Sequence, residues 1–499
     1  MHSQTISSAS VSAGLTLSEV VCTTLRQNPE IMLQKREISS RFGAVVQASG
    51  SFQPVIQSSI VQDSSLQPLT NANRQLLDGR SFLPVKTTSY RLVYKKLMEN
   101  GTVIAPGIEF SRNDTDIPAR EPENRATVKF ELSHPLARGR GTESLAFSTS
   151  QAAGFEYQSS FESLRQITNN ALLSSISAYW NYLGAFRRLE ILRSAEKRAE
   201  KLLSETEELI LCDHQPAAEK SQVEANLASR QADAIAGANA LVQNQRILGL
   251  SLGLSGEEIA SLSFPSTDFP EDKVFEKIPS LTEDLLKSAL MKRPELSALR
   301  LQEKAAKRLT AGSRNEELPK IDFNVAVGYS GLDENSGFTS FVTPFSKNVP
   351  GLNATVQVQT ELPVQNLSAR GIRQQREAAE KKINILIDQA KRHIGSGLSV
   401  AIANLEDSLK QVRLTRKAVM LFQKAVENEK ARLAQGMSTI IDLITLEDRL
   451  TNASLANVQA QISFAQAIAA FQYESGVIYD ENLQPSFSQN IPNNDSTKN

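Results

Sequence analysis

Leu433-Ala434-Gln435-Gly436-Met437-Ser438-Thr439 is a short break between two long helical runs, and the segment 418–473 around it decides the fold. Beyond the break, Leu443, Leu446, Leu450 and Ala453 recur at steps of three and four residues. Leu455, Val458, Ile462, Ala465 and Ala469 continue the seam. That spacing lines one helix face with apolar side chains. Gly436 can take the positive φ that ends a helix, and Ser438 or Thr439 can cap the next. The unit predicted is a long antiparallel helical hairpin. Taken alone, it also fits an ordinary coiled coil.

The rest of the chain is written twice. Leu17-Ser18-Glu19, Leu25-Arg26-Gln27-Asn28-Pro29-Glu30 and Pro54 return as Leu281-Thr282-Glu283, Leu290-Met291-Lys292-Arg293-Pro294-Glu295 and Pro319. Pro29 and Pro294 lie 265 residues apart, and so do Pro54 and Pro319. Further on, 126–135 matches 354–363 at a spacing of 228, so the first copy carries 37 extra residues between its two matches. Such self-similarity is the mark of a tandem duplication.

Each copy has the same order of parts. A short helix stops at the Asn28-Pro29 or Arg293-Pro294 boundary, because proline disfavours helix in the residue before it. A helix of about twenty residues follows, then strands. Ile321, Phe323, Val325, Val327 and Tyr329 alternate with Asp322, Asn324, Ala326 and Gly328. Val128, Phe130 and Leu132 alternate with polar residues, as do Val356, Val358 and Leu362. Period-two alternation gives one apolar and one polar face. In a soluble sheet the apolar face meets a core, yet only very long helix follows. No proline occurs between Pro135 and Pro216 or between Pro363 and Pro485. A run of about 65 residues would be roughly 100 Å long, a rod or tube rather than a globular helix.

Composition removes several functions. Lys plus Arg number 54 and Asp plus Glu 55, so the basic excess of a nucleic-acid binder is missing. Four histidines and two cysteines, Cys22 and Cys212, offer no zinc spacing and no disulfide framework, and no cofactor is implied. His134 reads as a strand-exit residue and His214 as a polar turn residue. No apolar run reaches the length of a membrane helix, but barrel strands leave only a faint alternating signal. The Ser-rich start, 1–14, lacks a basic-then-apolar signal pattern. Either the protein stays in the cytoplasm or a signal has been removed.

These features together resemble the TolC-type outer-membrane efflux protein family over nearly the whole chain. The carrying residues are the paired Leu-Ser/Thr-Glu…Pro-Glu starts, Pro54 and Leu318-Pro319 before strands, and the strand exits at Pro135 and Pro363. Ala178-Tyr179-Trp180-Asn181-Tyr182-Leu183 and Ala434-Gln435-Gly436-Met437-Ser438-Thr439-Ile440-Ile441-Asp442-Leu443 complete the match, with Gly476 following 34 residues after Asp442. The fold implied is mixed α and β. In a homotrimer, each copy gives four strands to a twelve-stranded barrel in outer-membrane lipid and helices to a shared periplasmic tube. The function implied is a passive exit channel of a tripartite efflux or type I secretion system. It would work with a periplasmic adaptor (membrane fusion protein) and an inner-membrane pump of RND, ABC or MFS type. The location implied is the outer membrane of a Gram-negative-type bacterium, and no catalysis is implied.

The resemblance also places sites. Counting back from Gly253 sets Glu219 against Asp442, so the first tip is Asp213, His214, Gln215, Pro216 and Ala217, with Asp213 standing where the second copy has Gly436. The second tip is Gly436, Met437, Ser438 and Thr439, and both tips are expected to dock the adaptor. Asp442 matches an acidic position that rings the family's periplasmic entrance; its alternative is a solvated surface aspartate. The family's second acid falls at Thr445, and its tethering tyrosine and arginine fall at Leu433 and Ser438. Pro54, Pro135, Pro319 and Pro363 mark strand–helix junctions.

The expected organisation is a disordered start (1–14), first-copy helices (15–53), strands (54–136) and long hairpin (137–255), and a linker (256–280). Second-copy helices (281–318), strands (319–364) and long hairpin (365–479) follow, then a polar tail (480–499). The extra residues read as a hairpin, 88–111, turning at Glu99-Asn100-Gly101-Thr102. It could enter the barrel, giving six strands per copy. Pro106, Gly107 and the cluster Arg91, Lys95, Lys96 favour a hairpin outside the lipid zone, or one extending the barrel strands beyond that zone. A rival reading of the whole is a periplasmic coiled-coil adaptor or scaffold. Glu447-Asp448 reads as a solvated acidic pair, and no catalytic motif occurs at a usable position.

Overall fold

The computed structural model describes residues 14–77, 79–117, 120–211, 218–271 and 281–478. The first tip, the end of the linker and the polar tail therefore lie outside the described residues, as does nearly all of 1–14. The chain divides into two compact units, one of 1–37, 160–298 and 387–499, the other of 38–159 and 299–386.

The elements run α1 (Leu17–Gln27), α2 (Pro29–Ser49), β1 (Val55–Pro68), α3 (Asn71–Leu76), β2 (Phe82–Leu97), β3 (Val103–Thr115) and β4 (Glu123–Pro135). The first copy closes with α4 (Leu145–Leu211), α5 (Ala218–Leu252) and α6 (Gly256–Ala260). Then come α7 (Glu283–Lys292), α8 (Pro294–Glu316), β5 (Lys320–Glu334), β6 (Asn353–Glu361), α9 (Leu367–Ala434) and α10 (Ile440–Glu474). α4 and α9 hold 67 and 68 residues, and α5 and α10 hold 35 each.

In the first unit α10 is buried along more than the predicted seam. Leu443, Val458, Ile462, Ala465 and Ala469 are covered, but so are Ala460, Phe464 and Ala467, which pack on Leu405, Leu409 and Val412 of α9. Alanine at these sites lets helix axes approach closely, while Phe464 supplies the bulk. A second cluster gathers Tyr179, Tyr182 and Leu183 of α4, Leu248 and Leu252 of α5, and Val20 of α1. The buried hydroxyls are satisfied by backbone: Tyr179 donates to the Leu15 carbonyl and Tyr182 to that of Ser263. Burial pushes both phenols above their usual value near 10.

Two helix junctions of the first unit are built alike. Gly253 turns at φ +81° against Gln27 and Pro29, and Gly476 turns at φ +76° against Lys292. Asn28 donates to the Ser251 carbonyl, and Arg293 to the Tyr473 carbonyl.

The second unit holds one antiparallel six-stranded sheet in the order β1-β2-β3-β4-β5-β6. The sheet holds two strands beyond the four of the sequence expectation, because the 88–111 hairpin is paired on both sides. β2 pairs β1 over all fourteen of β1's residues, and β3 pairs β4 over eleven. Pro106 is tolerated because its missing N–H produces only a local gap: the β2–β3 ladder skips Tyr94 and Lys95 against Ala105 and Pro106.

Candidate conduit and helical tip

The register sorts the sheet into two faces. Ile60, Tyr90, Phe110, Ala126 and Gly331 form one row across the strands, and Ser58, Leu92, Ile108, Val128 and Tyr329 form the next. Ile56, Tyr94, Pro106, Phe130, Val327 and Ala354 follow, then Lys96, Ile104, Leu132, Val325 and Val356, with Lys96 the one charge in these rows. Apart from Ser58 and Lys96 this face is apolar, and much of it is open: Ile60 is 73% and Val356 66% exposed. Above it the row Gln62, Thr88, Arg112, Asn124 and Asp333 is polar. The opposite face borders a hollow of about 980 Å³ lined by Gln57, Ser59, Arg91, Lys95, Lys129 and Glu131, among others. Lys129 and Glu131 are ion-paired there.

Segment 335–352 folds over the upper apolar row. Phe341 packs on Phe110 at 4.7 Å and on Tyr90 at 6.2 Å between ring centroids. Lys347 Nζ reaches Asp333 at 2.5 Å, and Asn124 Nδ2 donates to the Asn335 carbonyl at 2.7 Å.

The junction prolines bracket the sheet at its opposite end. Pro54 and Pro319 directly precede β1 and β5, Pro135 ends β4, and Pro363 lies two residues beyond β6. The β2–β3 turn reaches this same end. Gly101 takes φ +88°, and a Cβ there would strike the Gly139 carbonyl. Gly141 N–H donates to the Asn100 carbonyl at 3.0 Å, and Thr102 Oγ1 lies 2.8 Å from His134 Nδ1.

At the second tip, α9 ends at Ala434 and Gly436 turns at φ +72°. Thr439 caps α10: its Oγ accepts the Asp442 N–H at 3.2 Å, while Asp442 Oδ2 accepts the Thr439 N–H at 3.4 Å. This reciprocal capping box gives Asp442 a local role while leaving it exposed. Met437 is 59% exposed. Ser438 does not cap; its hydroxyl donates to Glu429, a buried carboxylate also held by Arg432 at 3.3 Å. Asp213, His214, Gln215, Pro216 and Ala217 lie outside the described residues.

Of the acidic pair read as solvated, Asp448 keeps 42% of its side chain exposed, but Glu447 does not. Glu447, with only 12% of its side chain exposed, takes Lys430 Nζ of α9 at 3.0 Å and Arg198 Nε of α4 at 3.8 Å. Asp448 pairs with Arg230 of α5, and Arg198 also donates to Thr451 at 3.3 Å. Two adjacent acids of α10 thus tie it to the three other long helices. Sequence spacing hides this, because every partner lies on another helix. A second missed cluster centres on Arg293, 3% exposed, which bonds Glu474 at 2.9 Å and lies 4.4 Å from the Tyr473 ring centroid. Burial raises the Tyr473 phenol, and the Arg293 charge opposes that rise. Among the described residues no group of three or more His, Cys, Asp or Glu could hold a metal, and no helix is long and apolar enough to cross a membrane.

The sheet thus has one polar and one largely open apolar face, and the chain carries helices of 67 and 68 residues. Residues 285–473 match the family model described as outer membrane efflux protein. No curated protein matches the sequence. Among solved structures, the outer-membrane channel OprN aligns with TM-score 0.67 and 13% identity over 92% of this chain and 89% of its own. The Campylobacter jejuni CmeC outer membrane channel aligns with TM-score 0.67 and 14% identity over 94% and 87%. The outer membrane protein VceC from Vibrio cholerae aligns with TM-score 0.65 and 14% identity over 92% and 96%. The resemblance to the TolC-type outer-membrane efflux family is thereby borne out, by sequence over the second copy and by fold over most of the chain.

Proposed function

We propose that this protein is the outer-membrane exit channel of a tripartite efflux or type I secretion system, a passive conduit formed by a homotrimer. The observation that carries the reading is the open apolar face on a sheet whose other face is polar. Along β5 the residues on this face run from Phe323, whose row also holds His134 and Val358, to Gly331. Eight steps at about 3.3 Å each give roughly 26 Å, or about 20 Å after a barrel-like tilt, close to the apolar band of an outer-membrane barrel. The sheet's two edges cannot stay open in lipid, so neighbouring copies must pair with them. The polar face then lines water.

The tip around Gly436–Thr439 is where an adaptor would dock, and the ties from Glu447 and Asp448 are what an opening motion would have to loosen. Asp442, exposed at the first turn of α10, would place three carboxylates near the entrance of a trimer. The test is export in a strain lacking the chromosomal copy. The wild-type chain should fractionate with outer membranes as a heat-modifiable trimer and restore export. Gly436→Arg and Ser438→Arg should keep the trimer and lose export. A soluble monomer would favour the scaffold reading, and full export by the tip variants would remove the tip from the mechanism.

A further inference from the structure

We infer that β2 and β3 are wall strands of the barrel, so that three copies close about eighteen strands and form an exit about half again as wide as a twelve-stranded one. The inference rests on the homotrimeric channel proposed above and concerns the part of this chain that the duplicated pattern leaves over, the 37 extra residues of the first copy.

Three observations carry it. First, the hairpin stands at the height of the apolar rows, not beyond them. Tyr90, Leu92 and Tyr94 of β2 share rows with Ile60, Ile108, Phe110 and Phe130, and the one charge on this face of β2, Lys96, lies beside the turn at the junction end. Their neighbours Arg91, Val93 and Lys95 fall on the polar face and line the hollow. A hairpin projecting past the membrane would have no reason to keep this alternation in phase with β4 and β5.

Second, the hairpin is held at both ends. Its turn is clamped at the junction end by Gly141, Gly139 and His134, as Gly101 and Thr102 require. At the other end Lys86 and Asp114 are still in register across β2 and β3.

Third, the free edges are β1 and β6. Thirteen of β1's fourteen residues and all nine of β6 are exposed, whereas β2 to β5 are more covered. A twelve-stranded closure would instead need β1 to pair β4, breaking a fourteen-residue ladder and an eleven-residue ladder and expelling the apolar rows between them. A single copy cannot close, because even eight strands leave an interior only just filled by side chains. The remaining solution pairs β6 of one copy with β1 of the next. Barrel diameter grows about linearly with strand number, which gives a factor of about 1.5 in width. The exit would then pass bulkier cargo than a twelve-stranded barrel admits.

The test uses the full chain with Cys22 and Cys212 replaced by serine. Native mass spectrometry first counts the copies; any number but three overturns the channel reading itself. Single cysteines are then placed at Val93 and Ala105 on the polar face, and at Leu92 and Ile108 on the apolar face. In outer membranes a water-soluble maleimide should label Val93→Cys and Ala105→Cys at least tenfold faster than Leu92→Cys and Ile108→Cys. Comparable labelling at all four positions in an intact trimer would put the hairpin outside lipid and leave a twelve-stranded channel. Leu92→Trp gives a second route: brominated lipid should quench its added fluorescence beyond that of natural Trp180. Absence of quenching would overturn the inference equally.

Discussion

Glu447→Gln keeps the shape of a side chain that the fold places between two cations and removes only its charge. Lys430 Nζ stands 3.0 Å away and Arg198 Nε 3.8 Å away. At an effective dielectric of about 20, bare Coulomb attraction would be roughly 4–5 kcal/mol for each pair. Screening reduces that greatly, because Lys430 is 49% and Arg198 32% exposed. Exposed pairs measure about 0.2–1 kcal/mol, and the low exposure of Glu447 argues for the upper end. Two such pairs give about 1–2 kcal/mol. Since about 1.4 kcal/mol is a factor of ten in a local opening equilibrium, amide exchange in 425–450 should quicken roughly tenfold. Exchange in the sheet should not change. A double-mutant cycle with Lys430→Met should recover a coupling of about 0.5–1 kcal/mol. Unchanged exchange together with zero coupling would refute the tie and return Glu447 to a solvated surface acid.

Gly101→Val should loosen the β2–β3 turn by about 2 kcal/mol or more, since it adds a β-branched residue at φ +88° facing the Gly139 carbonyl; limited trypsin cleavage near Lys95 and Lys96 should rise. Asp442→Asn in a planar bilayer should lower cation preference and weaken block by multivalent cations, and identical selectivity would leave Asp442 as a helix cap only. Tyr179, Tyr182 and Tyr473 are held above the ordinary phenol value by burial. Their neutral form is favoured in the folded state, so the stability they add is complete below about pH 10 and is lost as pH rises toward their folded values. Absorbance at alkaline pH should show these phenols ionising late and together with unfolding; early, independent ionisation would contradict their burial.

Much of this fold is legible because its signals are local. Alternation in 321–329 marks a strand, and Gly436 followed by Thr439 marks a helical break. Proline before β1 and β5 marks where helix must stop. The Asn100-Gly101 turn was legible too, yet the place of its hairpin was not. Pro106 counted against a paired strand, and only the register shows that its missing N–H falls where the β2–β3 ladder can skip. The candidate site divides the same way. Thr439 and Asp442 announce a cap three residues apart, while Glu429, Glu447 and Arg293 do not announce themselves. Their partners include Ser438, Arg198 and Glu474, some of them hundreds of residues away. Charge at such positions looks like solvated helix surface until the helices are brought together.

The central claim is that copies of this chain share one membrane barrel closed by edge pairing. The most direct measurement is a cryo-electron microscopy reconstruction of the full chain in lipid nanodiscs. The account predicts three copies around one pore, with β6 of each copy hydrogen-bonded to β1 of the next and Ile60, Leu92 and Val356 facing lipid. A single copy, or an assembly in which β1 and β6 stay unpaired and the apolar rows turn inward, would contradict it.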